Sequence, residues 1–174
     1  TLTIEYVMPD GKSLQCGTSH NLGQQFAKSF NIEYLGKDEK KYLPYQNSWG
    51  ISTRLIGATI MIHGDDKGAI IPPRIAFNKL VIVPILFEDS KKVVLKQAKK
   101  LEKMLRIYNP NLDNNEEHSP GWKFNEWELK GIPLRIEIGP KELKSKSVIL
   151  VRRDTNSKVN VSINNLKKEI SSNL

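Results

Sequence analysis

The sequence predicts an α/β protein, and three observations carry that prediction. From Lys79 onward, short apolar runs that suit buried strands alternate with amphipathic stretches that suit helices, which is the pattern of a small α/β domain with a mixed sheet. The adjacent Pro72 and Pro73 in "IIPPRIAF" fix φ twice and remove two backbone donors, which suits a stiff connection between units. Charge divides at the same place. Residues 1–75 carry eight Lys/Arg against seven Asp/Glu, whereas residues 76–174 carry nineteen against twelve. The basic second part suits a polyanionic partner, although solvated lysine faces give the same count. We therefore expect two domains, 1–75 and 76–174.

Before the prolines, a strand is predicted over Ser13–Thr18 and a helix over about Asn21–Phe30, where Leu22, Phe26 and Phe30 recur at four-residue spacing. A strand pair around "GKDEKK" follows, its second strand delivering "SWGIST". Thr53–Ile62 is apolar nearly all round, and its length together with the stop signal "HGDDKG" favours a helix. After the prolines, "KLVIVPIL" suits a buried strand. Val94, Ala98, Leu101 and Leu105 then share one face of a helix whose lysines, Lys91 to Lys103, lie largely elsewhere, as a solvated face would. Ser119 and Pro120 mark a helix start and Gly131 its end. "IPLRIEI" suits a strand with Ile132, Leu134, Ile136 and Ile138 on one face, so that Arg135 and Glu137 face the other, toward solvent or a ligand. Strands near Ser147–Arg153 and Lys158–Ile163 and a final helix from about Ser162 complete the pattern.

Composition excludes several classes. With 39% hydrophobic and 26% charged residues the chain has the profile of a soluble globular protein. Its longest apolar run is far short of the ~20 residues of a membrane span, and no secretory signal opens it, so a cytoplasmic location without membrane attachment is expected. The lone Cys16 and three scattered histidines leave no cluster of zinc-ligand spacing, so neither a structural zinc nor any other metal site is expected. "HGDDKG" does not alter that, because three adjacent ligands cannot readily surround one ion.

Two segments carry candidate chemistry. "LQCGTSHNLGQQFAKSF" and "SWGISTRLIGATIMIHGDDKG" place small and hydroxyl residues where a strand gives way to a helix. Such junctions leave backbone N–H groups free to hold anions and nucleotides. Arg54 sits at one of them in an apolar surround, where its guanidinium requires a carboxylate, a phosphate or an aromatic plane. From spacing alone, an ion pair with Asp65 or Asp66 and a phosphate contact remain equally open.

These two segments, with "SPGWKFNEWELKGIPLRIEIGPKEL", closely resemble the prolyl-tRNA synthetases of the archaeal and eukaryotic-like branch, nearly collinearly from Met8 to Arg153. "GISTRLIG" resembles the third signature motif of class II aminoacyl-tRNA synthetases. The part after the prolines is similar to the anticodon-binding domain shared by the prolyl, threonyl, histidyl and glycyl enzymes. The resemblance implies an α+β catalytic remnant with antiparallel strands, followed by an α/β anticodon-binding domain with a sheet of about five strands. It implies a proline-tRNA ligase that makes prolyl-adenylate from ATP and proline, with Mg2+ accompanying ATP, and transfers the prolyl group to tRNA(Pro). It also implies a homodimeric parent that takes no DNA. A threonyl, histidyl or glycyl synthetase, or a non-catalytic RNA-binding protein that retains the anticodon domain, remains the alternative.

Residue by residue, the resemblance implies that Arg54 lies against the adenine and reaches the γ-phosphate, offsetting charge as pyrophosphate leaves. Ser52, Thr53, Gln15 and Thr18 match positions that line the ATP site. His20 borders the proline pocket, where the residues alone would make it a satisfied local hydrogen-bonder, and Ser48 and Gly50 form the pocket floor. Trp49 between them is expected in the core. Glu128, Arg135 and Lys141 match the positions that read the second and third anticodon bases, both guanines. Arginine and lysine can donate to guanine O6 and N7, and a carboxylate can accept from N1 and N2. Without the resemblance, a Glu128 to Arg135 salt bridge accounts for two of these residues, and Trp122, Phe124 and Trp127 are expected in the core. The first and second class II motifs are not in this sequence, and the chain opens on Thr1. It is expected to be the C-terminal part of a longer enzyme and inactive alone.

Overall fold

The computed structural model describes residues Thr1–Leu174, which form two compact units, Thr1–Ile62 and His63–Leu174. The first is built from β1 (Leu2–Val7), β2 (Ser13–Gly23), α1 (Gln25–Ser29), β3 (Tyr34–Leu35), β4 (Lys41–Tyr42), β5 (Gln46–Ile51) and α2 (Arg54–His63). β1, β2 and β5 make an antiparallel sheet in the order β1-β2-β5, while β3 and β4 pair separately. The strand near Ser13 runs on to Gly23, so the helix expected from Asn21 is only the five residues of α1. Cross-strand pairing of Thr18 to Asn21 with β5 outweighs the helical spacing of Leu22 and Phe26. Pro44 interrupts the strand expected from Tyr42, leaving β4 and β5 as separate pieces.

A bulge in β2 sets what this sheet presents. Ile4 pairs with Gly17 but Glu5 pairs with Gln15, so Cys16 is an extra residue without a partner. In an unbroken strand, residues 15 and 18 would point to opposite faces. With the extra residue between them they share one face, and the pairs Thr18 with Gly50 and His20 with Ser48 extend that face across β5. The opposite face carries Ile4 and Ile51, whose side chains would stand within 4 Å of a Cβ built on Gly17.

The second unit contains β6 (Leu80–Pro84), α3 (Lys91–Met104), β7 (Asn111–Leu112), α4 (Pro120–Leu129), β8 (Leu134–Ile138), α5 (Pro140–Ser145), β9 (Ser147–Arg152), β10 (Lys158–Ser162) and α6 (Leu166–Asn173). Its five strands run in the order β10-β9-β8-β6-β7, parallel where β6 meets β7 and β8 and antiparallel beyond β8, which makes it the expected mixed α/β sheet. Every residue of β6 is buried, as a central strand covered on both faces requires. On one face Leu80, Ile82, Leu134, Ile136 and Ile138 pack against Val94, Ala98, Leu101 and Leu105 of the α3 segment and Leu166 and Ile170 of α6. On the other, Val81 and Val83 pack with Ile132 against Phe124 and Trp127 of α4.

Ile132 therefore does not share the face of Leu134, because it precedes the strand and turns under α4. Local chemistry supports α4 at both ends. The Ser119 hydroxyl accepts from the Trp122 amide at 3.3 Å with Pro120 following, and Gly131 takes the left-handed conformation, φ 73°, just past the helix. The short elements β1, β7 and α5 were not foreseen. No helix is long and apolar enough to cross a membrane.

Candidate functional sites

In the first unit, Gln15, Thr18, His20, Ser48 and Gly50 lie on one face of the sheet by register, the bulge at Cys16 having brought Gln15 into line. An open groove of about 260 Å³ is lined by Gln15, Thr18, Gly50, Ser52 and Arg54 among others. Arg54 opens α2, and its amide donates to the Ser52 hydroxyl oxygen at 3.3 Å. Its guanidinium donates from Nη1 to the Gln15 carbonyl at 2.9 Å. Asp65, one of the two carboxylates that could have consumed it, is instead paired with Arg153. Arg54 is thus an exposed cation held at the rim of a groove by a neutral carbonyl, with donors to spare. Thr53 is exposed beside it. A Cβ built on Gly50 would meet nothing within 4 Å, so the space above the expected pocket floor is open. His20 stands outside the groove lining and bonds through Nδ1 to the Thr1 hydroxyl at 2.9 Å. Trp49 is 80% exposed and not core, lying on the face of β5 opposite Ser48 and Gly50.

In the second unit, the alternation along β8 does turn Arg135 and Glu137 away from the Leu134 face, but α4 covers the side to which they turn. Arg135 is 5% exposed, so the expectation of a solvent- or ligand-facing arginine is corrected. Its Nε donates to Glu137 at 3.0 Å, and its Nη1 reaches the Glu128 carboxylate and the Phe124 carbonyl, each at 3.3 Å. The guanidinium also stacks 4.4 Å above the Phe124 ring. The Glu128 to Arg135 salt bridge anticipated from the residues alone is therefore present. Glu128 is half-buried in the last turn of α4. Lys141 is exposed at the start of α5, past the far end of β8, roughly 15–20 Å along the chain from Arg135 at ~3.3 Å per residue. No hydrogen bond or ion pair joins it to the other two. Of the aromatic residues expected in the core, Phe124 and Trp127 pack there, but Trp122 is 46% exposed and stacks on His118 at 3.7 Å.

Sequence reasoning missed a further cavity. The connection leaving β6 runs through α3 on one face of the sheet, and the connection leaving β7 runs through α4 on the other, so a crevice opens where the carboxyl ends of β6 and β7 part. A pocket of about 280 Å³ lies there, lined by Phe87, Lys91, Asn115, Glu116, His118 and Lys123 among others. Lys123 is 2% exposed and paired with Asp113 at 3.2 Å, while Lys91 pairs with Glu116. The available signal was the order of elements, because a switch of crossover side predicts such a crevice once β7 is recognised. No group of three or more His, Cys, Asp or Glu side chains converges anywhere to hold a metal.

Taken together, a mixed five-stranded sheet with helices on both faces and a polar crevice at its switch point defines the second unit as a small doubly covered α/β domain. The family model described as "Anticodon binding domain" matches residues 79–173, and the chain belongs to that family. Among curated relatives, the chain is 54% identical over 160 residues to a protein of Natranaerobius thermophilus named proline–tRNA ligase, covering 91% of this chain and 33% of that protein. It is 50% identical to the proline–tRNA ligase of Lachnoclostridium phytofermentans and 49% identical to that of Clostridium novyi, in each case over 98% of this chain and 35% of the relative. The chain thus spans about a third of the length of the curated relatives it matches.

Proposed function

We propose that this chain is part of a proline–tRNA ligase, with residues 1–75 forming the end of its catalytic domain and residues 76–174 its anticodon-binding domain. The observation that carries the reading is Arg54, a cation left without a carboxylate at the rim of a groove that also presents Gln15 and Thr18. That arrangement suits a triphosphate. A guanidinium fixed before the reaction begins stabilises charge that develops as pyrophosphate leaves, at no reorganisation cost. Ser52 and Thr53 support the same nucleotide, and Mg2+ would arrive with its phosphates. His20, Ser48 and the open space over Gly50 would receive proline. The ligase would act in the cytoplasm as a homodimer, with tRNA(Pro) as its macromolecular substrate.

Glu128, Arg135 and Lys141 are proposed to read the two guanines of the proline anticodon. With its donors engaged by Glu128 and Glu137, Arg135 enters this recognition by exchanging a carboxylate for a base edge. The crevice lined by Lys91, Glu116 and His118 favours a second reading, in which a base enters there, because its lining is polar and its volume suits one nucleobase with water.

Filter binding of the 174-residue chain to proline tRNA and to variants with either guanine replaced tests the proposal. A clear loss for the variants is expected. Arg135→Ala should cost about 1–3 kcal/mol and blunt the discrimination, whereas Lys91→Ala should do so only on the second reading. Equal binding to all the RNAs would defeat the anticodon assignment.

A further inference from the structure

We propose that the segment Asp65–Ile71, locked in place by Arg153, is a strap that positions Glu128, so that Asp65, Lys67 and Arg153 govern guanine discrimination through that carboxylate. The inference rests on the reading that Glu128 contacts a guanine.

Glu128 lies where the last carbonyls of α4 lack helical partners. The Glu128 carbonyl accepts from Arg153 Nε at 2.8 Å and from the Gly131 amide at 3.0 Å. The Leu129 carbonyl accepts from the Ala69 amide at 3.1 Å, and the Gly131 carbonyl from the Ile71 amide at 3.0 Å. The helix end is therefore held by this segment and by one arginine. Arg153 in turn grips the segment, donating from Nη1 and Nη2 to the two Asp65 oxygens at 2.8 and 2.6 Å and from Nη2 to the Gly68 carbonyl at 3.2 Å. Contact is close enough that a Cβ on Gly68 would stand 2.6 Å from the Leu129 carbonyl oxygen.

The carboxylate is framed from two sides. Arg135 holds Oε1 at 3.3 Å, while Lys67 stands 3.9 Å from Oε2, near enough to attract it and too far to occupy it by a hydrogen bond. Oε2 thus keeps acceptor capacity while the plane of the carboxylate is set, and that plane decides whether N1 and N2 of a guanine can both donate. An ion pair around a buried guanidinium is a poor source of stability compared with apolar packing, and its attested use is to select one geometry. The Arg153 side chain is 2% exposed, so the strap is built into the fold.

The test uses the 174-residue chain and reads the ratio of its affinities for proline tRNA and for each guanine-replaced variant. Asp65→Asn keeps the shape and removes the charge, and should lower the ratio roughly fivefold. Lys67→Met should lower it less, and Lys67→Arg should restore it. Lys67 is exposed, so this pair of variants tests the inference even where Asp65→Asn does not fold. In a Glu128→Gln background neither replacement should change the ratio further, an outcome that a general loss of structure would not produce. An unchanged ratio in Lys67→Met and Asp65→Asn overturns the strap and leaves the guanine reading standing, as does an equal fall in the Glu128→Gln background. An unmodified chain that binds every RNA equally overturns the guanine reading and the strap together.

Discussion

Two arginines show how context divides the same side chain between tasks. Arg153 is enclosed, with each guanidinium nitrogen hydrogen-bonded, and it holds the Asp65 carboxyl well below the usual carboxylate range. A group depressed in the folded state makes the unfolded state bind more protons, so its contribution is present above the unfolded value, near pH 4, and is lost as pH falls below it. Urea unfolding followed between about pH 5 and pH 2 should accordingly show a shallower loss of stability in Asp65→Asn than in the unmodified chain. Arg54 is exposed and holds only a carbonyl. In the full-length ligase proposed above, Arg54→Ala should reduce proline-dependent pyrophosphate exchange by about 10²- to 10³-fold, the range typical of losing one preplaced electrostatic partner. Its position was legible in the sequence, since an arginine between glycines in an apolar run has few partners. The burial of Arg135 was not, because period-two alternation says which face a residue takes and nothing about whether a helix later covers that face.

Among the elements, those of the second unit were the most legible. β6, α3, α4 and β8 follow from apolar period, the Ser-Pro start and the glycine stop, since each must bury one face on the same sheet. Short elements such as β7 and α5 escaped because two to six residues are too few for a period to repeat recognisably. α1 was overextended because pairing with β5 holds residues up to Gly23 in the strand. The glycine after α4 has two duties. At φ 73° it takes a conformation that other residues adopt at a cost, and a Cβ there would stand 2.5 Å from the Ala69 carbonyl oxygen. Gly131→Ala should therefore destabilise the second unit by about 2 kcal/mol or more, read from the denaturant midpoint at constant slope.

Across the whole molecule the two units differ in how much core they own. Four apolar residues are buried in the first, Met8, Cys16, Ala27 and Ala58, against nineteen in the second. Leu2, Ile4, Trp49 and Ile51 are meanwhile exposed on the face that carries Gly17 and Ser19, and Ile51, at the end of β5, also lines the groove. Free energy of opening scales with such burial, so amide hydrogens of β2 and β5 should exchange much faster than those of β6 and β8, in a hydrogen-exchange experiment on the chain as it stands. Comparable protection in the two sheets would show that the first unit draws stability from a source other than its own core. Trp49 was expected in the core, but alternation along β5 says only which face it takes, and that face is exposed.

Cys16 stands outside the ladder between two groove residues, Gln15 and Thr18, which agree in direction because it does. Were that residue drawn into the ladder, Gln15 would swing through the sheet, away from Thr18 and Gly50, whereas deleting its codon would leave a regular zigzag in which Gln15 and Thr18 still agree. What aligns the groove is the exclusion of one residue from pairing, so a straightened strand of full length would lose an alignment that a strand one residue shorter would keep.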